Sequence, residues 1–350
     1  MNFRENLKGK KIALMGGAGF IGHNLALKLK QLGAEPHVID GLQINNLGYF
    51  TSGYATNLTA ELSIALLNER LSLLRQAKVD IHVVDLRDYQ LVTKVLNTTQ
   101  PDVVVHLAAV AHANRSNKDP YSTFDHSLRT LENVLDASRS LQAHIVYLSS
   151  SMVYGDFGEE SVSEDRHCDP LGIYGALKYS GEKIVIAYNQ VFGTPYTIVR
   201  PSALYGERCV SRRVGQAFIE NALMGKNLTV NGDGTDSLDF TYISDLVEGL
   251  LLVTVRPEAQ GEIFNLTFGS GRTLNDLAEI VRGNFPNIDV ICQPRDVLMP
   301  ERGTLDISKA RKLLGYEPKY PLEKGFALYV DWYKKMARDN PQLFGQSSID

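Results

Sequence analysis

Short apolar runs alternate with helix-period segments along the first half of the chain. Lys11-Ile12-Ala13-Leu14 is the first run, flanked by lysines. Pro36-His37-Val38-Ile39 follows and ends in Asp40, then Ile81-His82-Val83-Val84, Asp102 through Leu107, His144 through Leu148, and Tyr196 through Pro201. Continuous apolar runs of this length suit strands covered on both faces, and the periodic segments between them suit the covering helices. The alternation predicts an α/β fold, a Rossmann-type doubly wound parallel sheet, with ligands at the carboxyl ends of its strands.

Beyond residue 200 the pattern changes. Helical periods fall at 214–224, 246–253, 274–281 and 322–336, with short strands at 228–230, 239–243 and 263–266. This predicts a Rossmann domain over residues 1–200, rejoined by about 237–262. A smaller C-terminal α/β substrate domain would come from 201–236 and 263–350. The strand at 239–243 is expected to return to the main sheet. A long excursion covers 41–78: a loop through Thr59, then a helix over 60–76 with its stripe at Leu62, Leu66, Glu69 and Leu73. It reads either as a docked surface insertion or as a lid or subunit contact.

Composition narrows the class. The chain has 350 residues, 44% hydrophobic and 22% charged, with net charge -4 and no long basic run, so nucleic acid is not an expected partner. Cys168, Cys209 and Cys292 are far apart, with neither metal-ligand nor disulfide spacing, which suits a reducing cytoplasm. No apolar run approaches a membrane span, and no metal is expected.

The first strand runs into Met15-Gly16-Gly17-Ala18-Gly19-Phe20-Ile21-Gly22 and then a helical pattern. Gly16, Gly19 and Gly22 allow a tight turn, close approach of a pyrophosphate, and close packing of helix on strand. Asp40, at the end of the second run, has the spacing of the carboxylate that meets an adenine-ribose hydroxyl. A 2′-phosphate would face that carboxylate, and no basic residue follows to offset it, so NAD is the expected cofactor. Tyr174 and Lys178 stand four apart on a helical pattern and share one face. A nearby ammonium favours the phenolate, making the pair a candidate acid/base. Ser149-Ser150-Ser151 lies at the end of the fifth strand, where a hydroxyl could reach a substrate alcohol and the tyrosine together.

These pieces resemble an extended short-chain dehydrogenase/reductase, of the NAD-dependent nucleotide-sugar epimerase/dehydratase family. The matching segments run from the glycine loop and Asp40 through Asp85-Leu86, His106-Leu107-Ala108-Ala109, Ser149 to Gly155, Tyr174 to Lys178 and Arg200-Pro201 to Asp306-Ile307-Ser308. The resemblance implies that Asp85 and Leu86 contact adenine. Phe20, Ile21, Leu107, Ala108, Ala109 and Pro201 would line the cofactor. Ser150 would be the catalytic hydroxyl and Tyr174 the base, both touching substrate; Tyr174 and Lys178 would also contact the cofactor, Lys178 at the nicotinamide ribose. It further implies a cytoplasmic homodimer, paired through the helices near 123–141 and 174–192, that serves carbohydrate metabolism and polysaccharide biosynthesis.

Departures from the family pattern sharpen the activity. Ser151 and Met152 stand where 4,6-dehydratases carry Asp-Glu, and where decarboxylases carry a glutamate at the second position. C4 epimerisation of a UDP-sugar, of the glucose, glucuronate or N-acetylhexosamine type, is the expected reaction. A dehydratase or keto-sugar reductase of the same fold, or a non-catalytic NAD-binding protein, are the alternatives. Ala203 and Leu238 stand where many members hold the nucleotide diphosphate with asparagine and arginine. Arg295, Arg302 and the group Arg208, Arg212 and Arg213 are therefore the candidate phosphate ligands, and Ser151 a candidate sugar contact. Gly303 falls where an aromatic closes the sugar pocket in some 4-epimerases, and would leave room for an acetamido group.

Overall fold

A computed structural model describes residues 3–51, 58–110, 113–158, 161–295 and 298–345. Its strands are β1 (Lys11–Met15), β2 (Glu35–Asp40), β3 (Asp80–Val83), β4 (Val103–His106), β5 (His144–Leu148), β6 (Tyr196–Arg200), β7 (Leu204–Tyr205), β8 (Leu228–Asn231), β9 (Ser237–Leu238), β10 (Thr241–Tyr242), β11 (Glu262–Asn265), β12 (Arg272–Thr273) and β13 (Val290–Gln293). Seven of them form the main sheet in the order β11-β6-β5-β4-β1-β2-β3, every pairing parallel. The order reverses between β1 and β4, the switch point at which such sheets open a crevice. β1, β4, β5 and β6 are almost wholly buried, as their unbroken apolar runs require.

The expected return of 239–243 to the main sheet does not occur. β10 instead pairs with β7 in a separate two-stranded piece, and the seventh sheet strand is β11. The helix after β10, Ile243–Val255, is what rejoins the Rossmann layer, where it packs on the Phe20–Gln31 helix. β11 therefore belongs to the main sheet, not to the smaller part. The smaller part contains an unforeseen parallel pair, β8 with β13. Its helix Leu274–Asn284 starts with a full capping box from Thr273 and Asp276.

The helix expected near 123–141 is composite: Pro120–Phe124, a π turn at Asp125–Arg129, then Thr130–Ser138. That helix and Gly172–Phe192 leave Tyr121, Phe124, Val191 and Phe192 exposed. No helix among the described residues is long and apolar enough to cross a membrane.

Of the 41–78 excursion, residues 52–57 lie outside the described residues. The stretch expected as loop through Thr59 contains a short helix, Leu47–Thr51, and the longer helix spans Leu58–Gln76. Its buried stripe runs through Leu62, Leu66, Leu67, Arg70, Leu71 and Leu74, rotated from the expected one, so Glu69 lies at its margin and Leu73 is only partly buried.

Candidate active site

Two adjoining cavities open at the carboxyl ends of the strands. The first is lined by the glycine loop, Asp40, Gln43, Asp85, Leu86, Leu107, Ala108 and Ala109. A Cβ on Gly16 would stand 2.8 Å from the Ala108 nitrogen, and one on Gly22 would stand 2.5 Å from Gly17. Glycine is thus required for the close approach of β1, β4 and the Phe20–Gln31 helix. That helix has no side-chain cap and no acidic residue in its first turn, which leaves its N-terminal N–H groups to an anion. The Asp40 carboxylate accepts from the Ala18 N–H at 3.0 Å and the Leu42 N–H at 2.7 Å, locking the β2 end to the glycine loop. Burial raises its pKa, and these two hydrogen bonds oppose the rise. Asp85 is gripped by Arg87 at 2.7 Å, which holds its carboxyl well below the usual range. The loop, the carboxylate and the free helix terminus fit a dinucleotide.

The second cavity shares Ile21, Leu107, Ala109, Leu204 and Arg213 with the first. Ser150, Tyr174 and Lys178 line it, and so does Pro201, which the resemblance assigned to the cofactor. The three serines after β5 have separate partners. Ser149 Oγ donates to Glu182 at 2.5 Å, and Ser151 Oγ to Ser202 at 3.2 Å. Ser150 is the one of the three that acts on the Tyr174 phenol, while its oxygen accepts from the Met152 N–H at 3.2 Å.

Lys178 is anchored to the sheet behind the site. Its Nζ donates to the Leu148 carbonyl at 2.5 Å and lies 5.1 Å from the centre of the Tyr147 ring. Burial pushes it down to about 8, with Glu182 opposing. Arg213 and Arg302 also act on Tyr174. Burial raises the phenol above its ordinary value, and Arg213, the Ser150 hydrogen bond and Arg302 oppose that rise, in that order. At neutral pH Tyr174 is therefore protonated at rest. The kcat should climb with pH, about tenfold per unit, until the phenol titrates. Arg302→Met removes a charge that favours phenolate, so the climb should shift to higher pH and the neutral-pH rate should fall. A pH–kcat profile identical to that of the unaltered enzyme would remove Arg302 from this role.

The predicted arginines divide. Arg212, Arg213, Arg295 and Arg302 line the second cavity. Arg212 pairs with Glu220 at 3.2 Å, and Arg295 with Asp236 at 3.0 Å. Nη2 of Arg295 and Nε of Arg302 are buried and lack partners among the described residues, so an anion would satisfy both. Arg208 is not in this wall. Glu69, at 3.2 Å, and His23, at 3.3 Å, hold its side chain beside the first cavity, which corrects the expectation that it meets substrate. Gly303 is not a wall residue either; Met299, Pro300 and Arg302 form that side. Ala203 has φ +35°, a left-handed backbone that asparagine adopts more readily than alanine. Arg70 and His126 line the first cavity and escaped the sequence reading.

Known proteins resemble this chain along most of its length. UDP-glucuronate 4-epimerase 1 of Arabidopsis thaliana is 30% identical over 348 residues, covering 93% of this chain and 77% of that protein. The dTDP-glucose 4,6-dehydratase of Xanthomonas campestris is also 30% identical, covering 91% of each. The crystal structure of UDP-glucuronic acid 4-epimerase from Bacillus cereus, in complex with UDP-glucuronic acid and NAD, superposes with TM-score 0.83 at 27% identity, over 93% of this chain and 99% of that one. The family profile for the NAD dependent epimerase/dehydratase family matches residues 12–267, and the chain belongs to that NAD-dependent family.

Proposed function

We propose that the protein inverts C4 of a nucleotide-sugar, most simply a UDP-sugar. The observation that carries this reading is the composition of the second cavity. It holds the Ser150–Tyr174 pair, yet its single carboxylate among the described residues is Asp236, already paired with Arg295. Water elimination needs a further acid and base. Met152, buried in this wall, can be neither, and Ser151 is engaged with Ser202.

Tyr174 takes the proton of the C4 hydroxyl and returns it, and the Ser150 hydroxyl steadies the oxygen as its charge changes. Arg213 and Arg302 favour the phenolate that makes Tyr174 a base. Lys178 fixes the end of β5 through the Leu148 carbonyl, which holds Ser150 in register with Tyr174. NAD, held by the glycine loop and Asp40, supplies reversible hydride acceptance. The apolar part of the wall, with Met152, Leu204, Phe218 and Phe240, leaves a keto-sugar few fixed contacts and so room to turn over.

Incubation with UDP-glucose, UDP-glucuronate and UDP-N-acetylglucosamine, followed by proton NMR, tests this. The expected result is inversion at C4 in at least one of them without net NADH. Accumulation of a dehydrated or reduced sugar instead would overturn it.

A further inference from the structure

Arg70 is 1% exposed, the largest of the fully buried side chains. It lies on the apolar stripe of the inserted helix, between Leu66 and Leu74 at spacings of four. A guanidinium so placed needs compensation for its lost hydration. Among the described residues it has only part of one. Its Nε, at 2.9 Å, and its Nη2 donate to the carbonyl of Arg208. No carboxylate of the described residues lies within ion-pair distance. The acid acting on it, Asp40, has both oxygens bonded to main-chain N–H groups. Nη1 makes no hydrogen bond to the described residues, and the side chain lines the cavity formed by the glycine loop and Asp40.

The neighbours supply no free anion. Arg208 stands beside it, paired with Glu69, and neutral His23 of the Phe20–Gln31 helix accepts from Arg208. The helix start, uncapped and without an acidic side chain, adds the positive end of its dipole. An unneutralised buried cation, a free helix N-terminus and a glycine cradle therefore converge on one place, and what is missing there is an anion.

We propose that Arg70 is a retention residue for the diphosphate of the bound cofactor, carried into the cavity by the inserted helix. The excursion at 41–78 is then neither a passive insertion nor a lid. It packs on the helix that follows the glycine loop and adds a cationic wall to the cofactor cavity. It also sets the loop after β7, because the same guanidinium holds the Arg208 carbonyl while Glu69 holds the Arg208 side chain.

The test reads binding, not turnover. Arg70→Met and Arg70→Gln are purified, freed of cofactor, and titrated calorimetrically with NAD, ADP-ribose and adenosine. Arg70→Gln keeps a donor for the Arg208 carbonyl and serves if the methionine variant does not fold. The expected result is a roughly 10–100-fold loss for NAD and ADP-ribose, the scale of hydrogen bonds to a charged group, with adenosine unchanged. Unchanged affinity for ADP-ribose would overturn the proposal, and so would an equal loss for adenosine, which marks general damage to the cavity. Since no sugar is present, failure of C4 epimerisation would leave this result untouched.

Discussion

Tyr174→Phe should abolish sugar turnover while leaving NAD bound. The substitution removes one oxygen from a side chain that reaches the cavity between Ser150, Arg213 and Arg302. Positioned acid–base groups contribute roughly 10²–10⁴-fold to rate, so kcat should drop by that factor. The cofactor cavity does not include Tyr174, and its glycine loop, Asp40 and Arg70 are untouched. Bound NAD measured after gel filtration should therefore match that of the unaltered protein. Retained turnover would remove Tyr174 from the chemistry. Lost NAD together with lost turnover would assign it to the cofactor instead.

The largest effect on stability should come from the ion pair behind the site. Arg200, at the end of β6, meets Glu182 of the Gly172–Phe192 helix at 2.6 Å and 2.9 Å, and the two side chains are 3% and 1% exposed. Arg200 also donates to the Tyr154 hydroxyl at 3.0 Å, and Tyr154 in turn donates to Asn265 of β11 at 2.7 Å. Removing one charge strands the other in a dry interior, which costs about 3–5 kcal/mol. Glu182→Gln should lower stability toward urea by that amount. The double variant Glu182→Leu/Arg200→Met should recover much of the loss, because no buried charge is left alone. Additive losses in the double variant would show that packing, not charge, dominates there. Glu182 also supports the ammonium of Lys178 one turn earlier, so its loss should push Lys178 below about 8.

Much of this was legible from residue order, and the exceptions have physical causes. The glycine loop, Asp40 and the Tyr174–Lys178 helix could be read because each depends on local geometry. The partner of Lys178 could not, because the Leu148 carbonyl comes from the end of β5, 30 residues away. β10 was misplaced because its apolar run suits a two-stranded ribbon as well as a large sheet, and periodicity does not name the neighbour. The seventh strand, β11, was recognised as a strand but not as the edge that completes the sheet. Arg70 was hidden by its company: a stripe drawn through Glu69 and Leu73 rotates the helix and turns Arg70 outward. The available signal was an arginine at four-residue spacing from leucines on both sides, a pattern that buries a charge unless the stripe is misread.

Arg213 lines both cavities, so the two occupants share one wall. Whatever factor the dinucleotide contributes to sugar affinity, the sugar must return to the dinucleotide, because linkage is reciprocal. A cell rich in the sugar would then slow the escape of the cofactor, and starvation for it would loosen the hold.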